Sequence, residues 1–451
     1  MKELPLTSLF LSRLYQRAWR LARPILSRNK RLRDGWSERL VPVDWVQPFD
    51  GATIWIQAAS GGEAYLLVSL ARLLLQKWND TAPTGKLRIL ASTCTRQGMD
   101  VLERFQTQGS WSRGEFTPQF FPLDEPDLMS RAIALAKPCR IVLLETELWP
   151  GLLGAAKQAG VPVLLVNGRI TPKSLSGYLK LPAPFRSLLA PDKILAVSQS
   201  DAERFARLFT EECVGLMPNI KFDLIDTEKD SPPGKQAETP GYKRAQLPIA
   251  LFASVRRQEA RQVAKAIKLF KASCPTSLAV LAPRHLHHAD IWQREVRRIG
   301  LSCILRSQLQ SNCNASPREV LNSFSKTDAV LVWDKFGELK QLYAEASTAY
   351  VGGSLVDLGG QNFLEALGAG VQPCVGPYIS NFTWVGGPIL DMLKHVKNAD
   401  ELAVALATEL TNPKPKHLLK EEFFQLVKAR QGGTRQAAEM VFTFPAAGDR
   451  L

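Results

Sequence analysis

The chain has 451 residues, 45% of them hydrophobic, and its formal net charge at pH 7 is +14. A single hydrophobic core rarely serves more than about 250–300 residues, so we expect two domains or more, and the apolar content excludes a disordered chain. Seven scattered cysteines, an odd number without a CxxC pair or an evident secretory signal, predict reduced thiols in a cytosolic setting rather than a disulfide scaffold or a zinc site.

Positive charge is concentrated in residues 1–40, which hold ten Lys and Arg against three acids and therefore carry half of the net charge. Such an excess predicts an anionic partner. Apolar residues recur there at helical spacing, and interspersed arginines exclude a membrane span, so the pattern predicts an amphipathic helix. The apolar positions are Leu11, Leu14, Tyr15, Ala18, Ala22, Ile25 and Leu26, and the arginines are Arg13, Arg17, Arg20 and Arg23.

Two interpretations of this amphipathic segment stay open. The helix could lie on an anionic membrane surface, with Trp19 near the lipid headgroups. Alternatively, it could pack on its own protein and expose only a solvated basic face. The sequence alone does not decide between them.

Residues 41–225 alternate between strands and helices. The strands are predicted at TIWIQAA, KLRILAST, RIVLLE, VPVLLVN and KILAVS, and the helices at EAYLLVSLARLLLQKW, GMDVLERF, WPGLLGAAKQAG and QSDAERFARLF. Continuous apolar strands between helices predict a parallel sheet covered on both faces, which is a doubly wound α/β domain.

Residues 226–248 are rich in Pro, Gly and charge and predict a linker. A second alternation over residues 249–415 predicts a second α/β domain of the same build. Residues 416–451 predict helices that pack back on the N-terminal domain. Because open α/β sheets bind ligands at the carboxyl ends of their strands, two such domains predict a cleft lined by those ends.

Ser60-Gly61-Gly62-Glu63 lies where a buried strand gives way to a helix. One interpretation is a capping box, in which Glu63 accepts the Ser60 N–H. The other is a general base, with glycines that admit a substrate and a helix N-terminus that attracts an anion. Capping would lower the pKa of Glu63 and weaken it as a base, so the two roles compete.

Glu145 and Glu147 end the strand RIVLLE. Two carboxylates after a buried strand predict an acid/base or acceptor-binding role. The alternative is that both are acids that favour the dipole of the next helix.

The second domain carries groups suited to a phosphate. Arg284 and His285 are two donors after the strand SLAVLAP. His287 and His288 lie nearby, but no acid cluster accompanies them, so we expect no metal site. The segment YVGGSLVDLGGQNFLEALGAG predicts a Gly-rich loop that enters a helix, with Asn362 near the helix start and Glu365 able to accept from ribose hydroxyls. Together they predict a nucleotide-sugar donor site.

Taken in order, eight segments resemble the 3-deoxy-D-manno-octulosonic acid (Kdo) transferases, and the resemblance covers roughly residues 10–440. The segments are IWIQAASGGEAYLL, LETELWPGLL, VPVLLVNGRIT, AVSQSDAERF, NIKFD, APRHL, YVGGSLVDLGGQNFLEALGAGVQPCVGP and NFTWV. The resemblance implies a GT-B glycosyltransferase with two Rossmann-like domains facing a cleft. It further implies an inverting transfer of Kdo from CMP-Kdo to a lipid A precursor, without a metal or other cofactor and without a nucleic-acid partner. It implies a peripheral enzyme on the cytoplasmic face of the bacterial inner membrane, bound through its N-terminus.

The resemblance assigns roles residue by residue. Glu63 matches the catalytic carboxylate. The candidate acceptor side comprises Gly62, Glu145, Glu147 and Arg169. The candidate donor side comprises Lys221, Arg284, His285, Gly353, Ser354, Asn362 and Glu365. Lys221 and Asp223, in KFD, match a segment between the two domains.

Three departures from the family pattern are visible. Thr95-Arg96-Gln97-Gly98 stands for Thr-Pro-Thr-Gly, Ser254-Val255-Arg256-Arg257 for a turn that begins Ser-Thr-His, and Gln361-Asn362 for His-Asn. The loss of a His and a Thr with the gain of two arginines predicts that other groups bind the phosphate. Two further functions stay open: a transferase for another nucleotide sugar, such as a UDP-sugar, and a catalytically silent, membrane-associated binding protein.

Overall fold

The computed structural model describes residues 6–81, 85–109, 112–227, 247–309 and 315–446. The chain forms two compact units, Met1–Asp226 with Arg430–Leu451, and Thr227–Ala429. The first unit ends next to the predicted domain end at residue 225. Nearly all of the predicted linker, residues 226–248, lies outside the described residues.

The first unit contains one parallel sheet of seven strands. They are β1 (Ala52–Ala58), β2 (Leu87–Thr93), β3 (Gly114–Phe120), β4 (Arg140–Leu144), β5 (Val163–Gly168), β6 (Lys193–Ala196) and β7 (Val214–Leu216). Their order is β3-β2-β1-β4-β5-β6-β7. The chain therefore builds outward from β1 on one side and then returns to build outward on the other.

Ten helices precede or connect these strands. They are α1 (Leu6–Leu26), α2 (Lys30–Arg33), α3 (Trp36–Arg39), α4 (Gly61–Thr81), α5 (Arg96–Gln108), α6 (Pro126–Ala136), α7 (Pro150–Ala159), α8 (Pro172–Leu179), α9 (Ala183–Leu189) and α10 (Gln199–Leu208). Successive side chains of β1 pack into two different hydrophobic clusters. Ile54 and Ile56 belong to the cluster that contains the buried residues of α4, whereas Trp55 belongs to a second cluster. This alternation explains why the strand is apolar at nearly every position.

The second unit repeats the plan. Its strands are β8 (Ile249–Val255), β9 (Leu278–Pro283), β10 (Ser302–Leu305), β11 (Ala329–Val332), β12 (Thr348–Val351), β13 (Pro373–Val375) and β14 (Lys394–His395), in the parallel order β10-β11-β9-β8-β12-β13-β14. Its helices are α11 (Ala260–Ser273), α12 (Ala289–Arg298), α13 (Pro317–Ser323), α14 (Leu339–Glu345), α15 (Leu364–Gly368), α16 (Gly387–Leu390), α17 (Ala399–Thr411) and α18 (Lys416–Lys428). The first strand, β8, again lies inside the sheet, between β9 and β12.

The helical segment at residues 416–451 is divided between the units, contrary to the prediction that all of it packs on the N-terminal domain. Helix α18 belongs to the second unit, where Phe423 is fully buried and lies beside Gly368 of α15. The chain then bends at Gly432, whose φ of 108° favours glycine. The last helix, α19 (Gly433–Thr443), packs on α4 in the first unit.

Asp223 holds the start of α19. Its carboxylate accepts hydrogen bonds from the Gly432 N–H (2.7 Å), the Thr434 N–H (2.6 Å) and the Thr434 hydroxyl (2.6 Å). These backbone donors belong to the first turn of a helix and have no partner within it. Asp223 therefore acts as a cap supplied from a distant part of the chain.

We expect Asp223→Ala to lower the melting temperature of the protein by a few degrees. Loss of a helix cap costs about 1–2 kcal/mol, and about 1 kcal/mol corresponds to roughly 2–4 °C in a domain of this size. Thermal unfolding followed by circular dichroism measures the shift, with the exposed Asp50→Ala as a control that should melt like the unsubstituted protein. Identical melting of both variants would contradict the capping role.

Candidate functional site

The reversal of strand order in the first unit brings three carboxylates to one edge of the sheet. Because β1 and β4 are adjacent but are joined through two intervening strands, their carboxyl ends flank the switch point of the topology. Glu63 lies in the first turn of α4, just after β1, and Glu145 directly follows β4, with Glu147 two residues further on. Open α/β sheets bind their ligands at such a point.

Glu63 has the geometry of a cap. Its Oε2 accepts the Ala59 N–H (2.7 Å), and its Oε1 accepts the Ser60 hydroxyl (2.8 Å). The Glu63 N–H in turn donates to Ser60 Oγ (3.3 Å). The sequence interpretation named the Ser60 N–H as the backbone partner, whereas the structure uses the N–H one residue earlier.

The capping hydrogen bonds lower the pKa of Glu63, as expected, but they are not the largest influence on it. Burial raises this pKa above its ordinary value, and the hydrogen bonds from Ser60 and Ala59 only partly oppose the effect. The negative charge of Glu145 raises it further, and Lys221 lowers it. The two proposed roles are therefore compatible, because the cap fixes the carboxylate while burial keeps it a stronger base than an exposed glutamate.

Glu145 occupies a strained position and is paired with a cation. Its φ of 57° lies in the left-handed region, which is unusual for a residue other than glycine. The Lys221 ammonium lies 2.6 Å from Glu145 Oε1. Lys221, a candidate for the donor side, is thus located in the first unit, in a short 3₁₀ helix at Ile220–Phe222 beside the acceptor-side candidates.

Glu147 differs from its neighbours in its protonation. Burial, reinforced by the negative charge of Glu63, raises the pKa of Glu147 to about 8. The Trp149 indole N–H donates to Glu147 Oε2 (2.6 Å) and only partly offsets this shift. At neutral pH Glu147 therefore carries a proton and can donate a hydrogen bond.

Gly62 and Arg169 flank these carboxylates along the chain. Gly62 is exposed in the first turn of α4, and a Cβ built on it would meet only Ser60 Oγ, at 3.9 Å. The protein itself therefore leaves open space above the Gly62 backbone. Arg169 follows β5 and is partly exposed at the same edge of the sheet, because β5 is the neighbour of β4.

Sequence reasoning missed two residues near this edge, Gln57 and Cys94. Gln57, fully buried within β1, donates from Nε2 to Cys94 Sγ (3.4 Å) and accepts from the Ser92 hydroxyl (2.5 Å). Burial raises the pKa of Cys94 to about 12, which keeps it a thiol and excludes it as a nucleophile at neutral pH. The signal for Gln57 was present, since a glutamine within an otherwise apolar strand needs buried partners.

In the second unit the candidates collect around the ends of β8, β9 and β12. Arg284 and His285 follow β9 and are exposed, and the Arg284 N–H donates to the Val255 carbonyl at the end of β8 (3.0 Å). Gly353 follows β12 with a φ of 69°. The strand order makes the edge between β8 and β12 the switch point of this sheet.

The loop after Gly353 differs from its prediction in two ways. Ser354 is fully buried: its hydroxyl donates to the Val351 carbonyl (2.7 Å) and accepts the Gly376 N–H (2.9 Å). Its side chain therefore stabilises the fold and is not exposed to a donor. Helix α15 has only five residues, Leu364–Gly368, so it offers no extended helix dipole to a phosphate.

Asn362 and Glu365 make a local pair at the start of α15. Asn362 Nδ2 donates to Glu365 Oε1 (2.9 Å), and Asn362 Oδ1 accepts the Leu364 N–H (3.1 Å). Burial raises the pKa of Glu365, which the Asn362 hydrogen bond and the positive charge of Arg284 partly oppose. Glu365 and Arg284 therefore belong to one electrostatic neighbourhood.

The departures from the family pattern have different local consequences. Arg96 lies at the exposed start of α5, where its guanidinium pairs with Asp100 (2.7 Å) and Glu103. Val255 is buried at the end of β8. Gln361 packs against Gly353, because a Cβ on that glycine would lie 3.3 Å from the Gln361 side chain.

Neither a metal centre nor a membrane span is found within the described ranges. Their His, Cys, Asp and Glu side chains form no group of three or more that could hold a metal ion. The ring centroids of His285, His287 and His288 lie 4.1–5.7 Å apart. In the same part of the chain, every helix is too short or too polar to cross a bilayer.

Comparison with known proteins supports both the fold and the family. The family model described as 3-deoxy-D-manno-octulosonic-acid transferase (kdotransferase) matches residues 34–224. The chain is 31% identical over 336 residues to the 3-deoxy-D-manno-octulosonic acid transferase of Bordetella pertussis, which covers 73% of this chain and 72% of that protein. It is 29% identical over 374 residues to the probable mitochondrial 3-deoxy-D-manno-octulosonic acid transferase of Arabidopsis thaliana, covering 82% and 77%.

Among solved structures, Anabaena HepE in complex with UDP superimposes with a TM-score of 0.52 at 12% identity, over 87% of this chain and all of that chain. This likeness bears on the fold alone. The predicted fold class, two Rossmann-like α/β units of the GT-B type, is confirmed. With the identity to the Bordetella protein over most of both sequences, these findings establish that the chain belongs to the 3-deoxy-D-manno-octulosonic acid transferase family of glycosyltransferases.

Proposed function

We propose that the protein transfers Kdo from CMP-Kdo to a lipid A precursor, with inversion at the anomeric carbon. Family membership supports the reaction class. The observation that carries the proposal is Glu63, a carboxylate fixed by two hydrogen bonds at the switch point of the first sheet, with a raised pKa. Of the three carboxylates at this edge, Glu63 combines a position fixed by hydrogen bonds with the absence of a close ion pair and with a charge that raises the pKa of Glu147.

The three carboxylates of this edge differ in what they can do. Glu145 is engaged by Lys221 at 2.6 Å, so its charge is neutralised. Glu147 holds a proton at neutral pH and is suited to donating a hydrogen bond to an acceptor oxygen. Glu63 is the carboxylate whose negative charge raises the pKa of Glu147, and each of its oxygens keeps a lone pair beyond the one used in capping.

The proposed step balances as follows. Glu63 takes the proton of the acceptor hydroxyl while that oxygen forms a bond to the anomeric carbon of Kdo. The bond between this carbon and the CMP phosphate oxygen breaks, and CMP leaves with the electron pair. Cationic side chains of the second unit, Arg284 among them, would stabilise the negative charge on the leaving phosphate. The step uses only side chains and the two substrates.

We expect Glu63→Gln to lower kcat by about 10²–10⁴-fold with the fold retained, because glutamine keeps an acceptor for capping but cannot take a proton. The assay incubates the protein with CMP-Kdo and lipid A precursor and follows product by mass. Chromatography of the released nucleotide shows whether CMP, rather than UDP from a UDP-sugar, is the leaving group.

Ser60→Ala is the matched control, since it removes the hydroxyl that donates to Glu63 Oε1 and accepts the Glu63 N–H, but leaves the carboxylate and its hydrogen bond from Ala59 in place. Its effect on kcat should be much smaller than that of Glu63→Gln. If Glu63→Gln turned over at nearly the full rate, Glu63 would be a cap and nothing more. If the unsubstituted protein bound CMP-Kdo without turnover, the silent binding protein would be the correct alternative.

The protonation of Glu147 predicts a pH-dependent stability. The pKa of Glu147 is about 8 in the folded protein, whereas that of an unfolded glutamate is about 4.3. The protonated group therefore contributes its full stability to the fold below about pH 4.3, and this contribution is lost as the pH rises through about 8. Glu147→Gln, which cannot ionise, should therefore gain melting temperature relative to the unsubstituted protein as pH rises from 5 to 8. The exposed Glu439→Gln should show a difference that does not vary with pH. A constant difference for Glu147→Gln would refute its raised pKa.

We further propose that the protein associates peripherally with an anionic membrane surface, at the cytoplasmic face of the inner membrane, through α1. The face of α1 that contacts the rest of the first unit makes several polar contacts. Tyr15 donates to Asp124 (2.9 Å), and Gln16 donates to Glu125 (2.5 Å). Arg23 pairs with Glu125 (3.4 Å). These contacts bind the helix to its own protein, as one of the two interpretations expected.

The opposite face of α1 supports the membrane interpretation. Leu14, Leu21 and Ile25 are spaced to share one face of the helix and are 56%, 78% and 71% exposed, which is unusual for large apolar side chains. Arg13 and Arg17 are exposed on the same helix. An exposed apolar stripe beside arginines suits a leaflet with anionic headgroups, where each basic residue contributes about 1 kcal/mol.

We expect Leu21→Glu to abolish flotation with vesicles that contain phosphatidylglycerol while leaving the melting temperature unchanged, because the side chain is exposed. Tyr15→Phe is the converse control: it removes the hydrogen bond to Asp124 and should lower the melting temperature but not flotation. Added salt should weaken flotation only in part, since the apolar contribution is not screened. Undiminished flotation of Leu21→Glu would exclude α1 as the membrane-binding element.

A further inference from the structure

The switch point of the second sheet is built around one buried carboxylate. Glu259 is fully buried. Its Oε1 accepts the Arg256 N–H (2.8 Å) after β8 and the Gly353 N–H (2.7 Å) after β12. Its Oε2 accepts the Tyr350 hydroxyl (2.7 Å) from β12 itself. Glu259 therefore joins the carboxyl ends of the two strands that flank the switch point.

The backbone at this junction is tightly constrained. Ser254 has a φ of 51°, in the left-handed region that residues other than glycine rarely adopt. Gly352 has no room for a side chain, since a Cβ would lie 2.6 Å from both Glu259 Oε1 and the Ser254 carbonyl. The positions of Arg256 and Gly353 relative to each other are therefore fixed by the fold and do not require a ligand.

Arg256 carries a charge that the described part of the protein does not neutralise. Its Nε is buried and has no hydrogen-bond partner there. The ion pairs found among the described residues do not include Arg256. Its side chain passes Gly353, because the Arg256 Cγ lies 3.6 Å from the position of a Cβ on that glycine. The one nearby carboxylate, Glu259, is engaged by backbone N–H groups and by Tyr350.

The surroundings of Arg256 are themselves positive. Burial lowers the pKa of His285, and the positive charges of Arg256 and Arg284 lower it further. The two arginines are therefore close enough to His285 to act on it electrostatically. Arg257 and His288 add to the same neighbourhood. A buried guanidinium nitrogen without a partner, surrounded by further cations, is costly unless an anion binds there.

We propose that Arg256 binds the phosphate of the nucleotide donor, where the family pattern has a histidine. This inference rests on the proposed function and assigns the donor phosphate to one residue of this chain. A guanidinium offers five N–H donors, keeps its charge at every physiological pH and can bind two phosphate oxygens at once. Gly353, beside it, allows the phosphate to approach the backbone.

The test compares the binding of CMP, CMP-Kdo and cytidine to the full chain by calorimetry. Arg256→Gln should weaken CMP and CMP-Kdo alike, by about 10–100-fold, and should leave cytidine binding unchanged. Arg256→Lys should be intermediate, since it keeps the charge but loses the two-pronged contact. Arg297→Gln is the matched control: it removes the same charge from an exposed side chain in the last turn of α12, and should change CMP affinity less than twofold.

Each outcome has a distinct meaning. Equal CMP affinity of Arg256→Gln and the unsubstituted protein would overturn the inference while leaving the proposed function intact. If Arg256→Gln bound CMP-Kdo more weakly but bound CMP as tightly as the unsubstituted protein, Arg256 would contact the Kdo carboxylate instead of the phosphate. That result would also overturn the inference. Failure of the unsubstituted protein to bind CMP would count against the proposed donor itself. Because Arg256 is partly exposed and makes no ion pair with a described carboxylate, its variants should melt like the unsubstituted protein, and thermal unfolding verifies this.

Discussion

The chemistry of both units depends on one topological constraint, the position of the first strand inside its sheet. In a parallel sheet every strand ends at the same edge, and at most strand ends the chain departs across a neighbouring strand. Between β1 and β4, and again between β8 and β12, the crossovers diverge to opposite sides. At these two points polar side chains follow the buried strands without disrupting a core.

The two switch points hold opposite charges. The first has Glu63, Glu145 and Glu147, of which Lys221 neutralises one and burial keeps another protonated. The second has cations that follow β8 and β9. A transferase with an anionic donor needs this division, because a base must meet the neutral acceptor hydroxyl and positive charge must meet the leaving phosphate. Within each unit a glutamate fixes the backbone geometry, Glu63 at the start of α4 and Glu259 between two strand ends.

Sequence reasoning succeeded where the local pattern and the final environment agree. The buried strands of both sheets are continuous apolar runs, so their existence and their polar terminal residues could be read directly. Strand β3, GEFTPQF, was not predicted, because it is an edge strand that contains Pro118 and several polar residues. The sequence predicted that the Gly-rich loop enters a helix but not how short this helix is, since the apolar spacing of LEALGAG does not reveal that the chain turns at Gly370, whose φ is 74°.

Contacts between distant segments were beyond the reach of the sequence. The sequence around Glu259 does not predict that this residue joins β8 to β12. The sequence around Lys221 does not predict its ion pair with Glu145. The raised pKa of Glu63 also depends on burial, which a capping motif does not disclose. Such properties arise only when the sheet is assembled, because they involve residues from separate strands.

The last such contact links α1 to the carboxylates at the edge of the first sheet. Tyr15 of α1 donates to Asp124, a buried carboxylate whose pKa burial raises to about 7. Asp124 also accepts the N–H groups of Gly151 and Leu152, in the first turn of α7. The residue before α7 is Trp149, which binds Glu147. Under the proposed function, a substrate with lipid chains in the bilayer and a sugar that reaches Glu63 requires α1 and this edge of the sheet to keep a fixed relation. Within the first unit, hydrogen bonds through one aspartate and the start of one helix provide it.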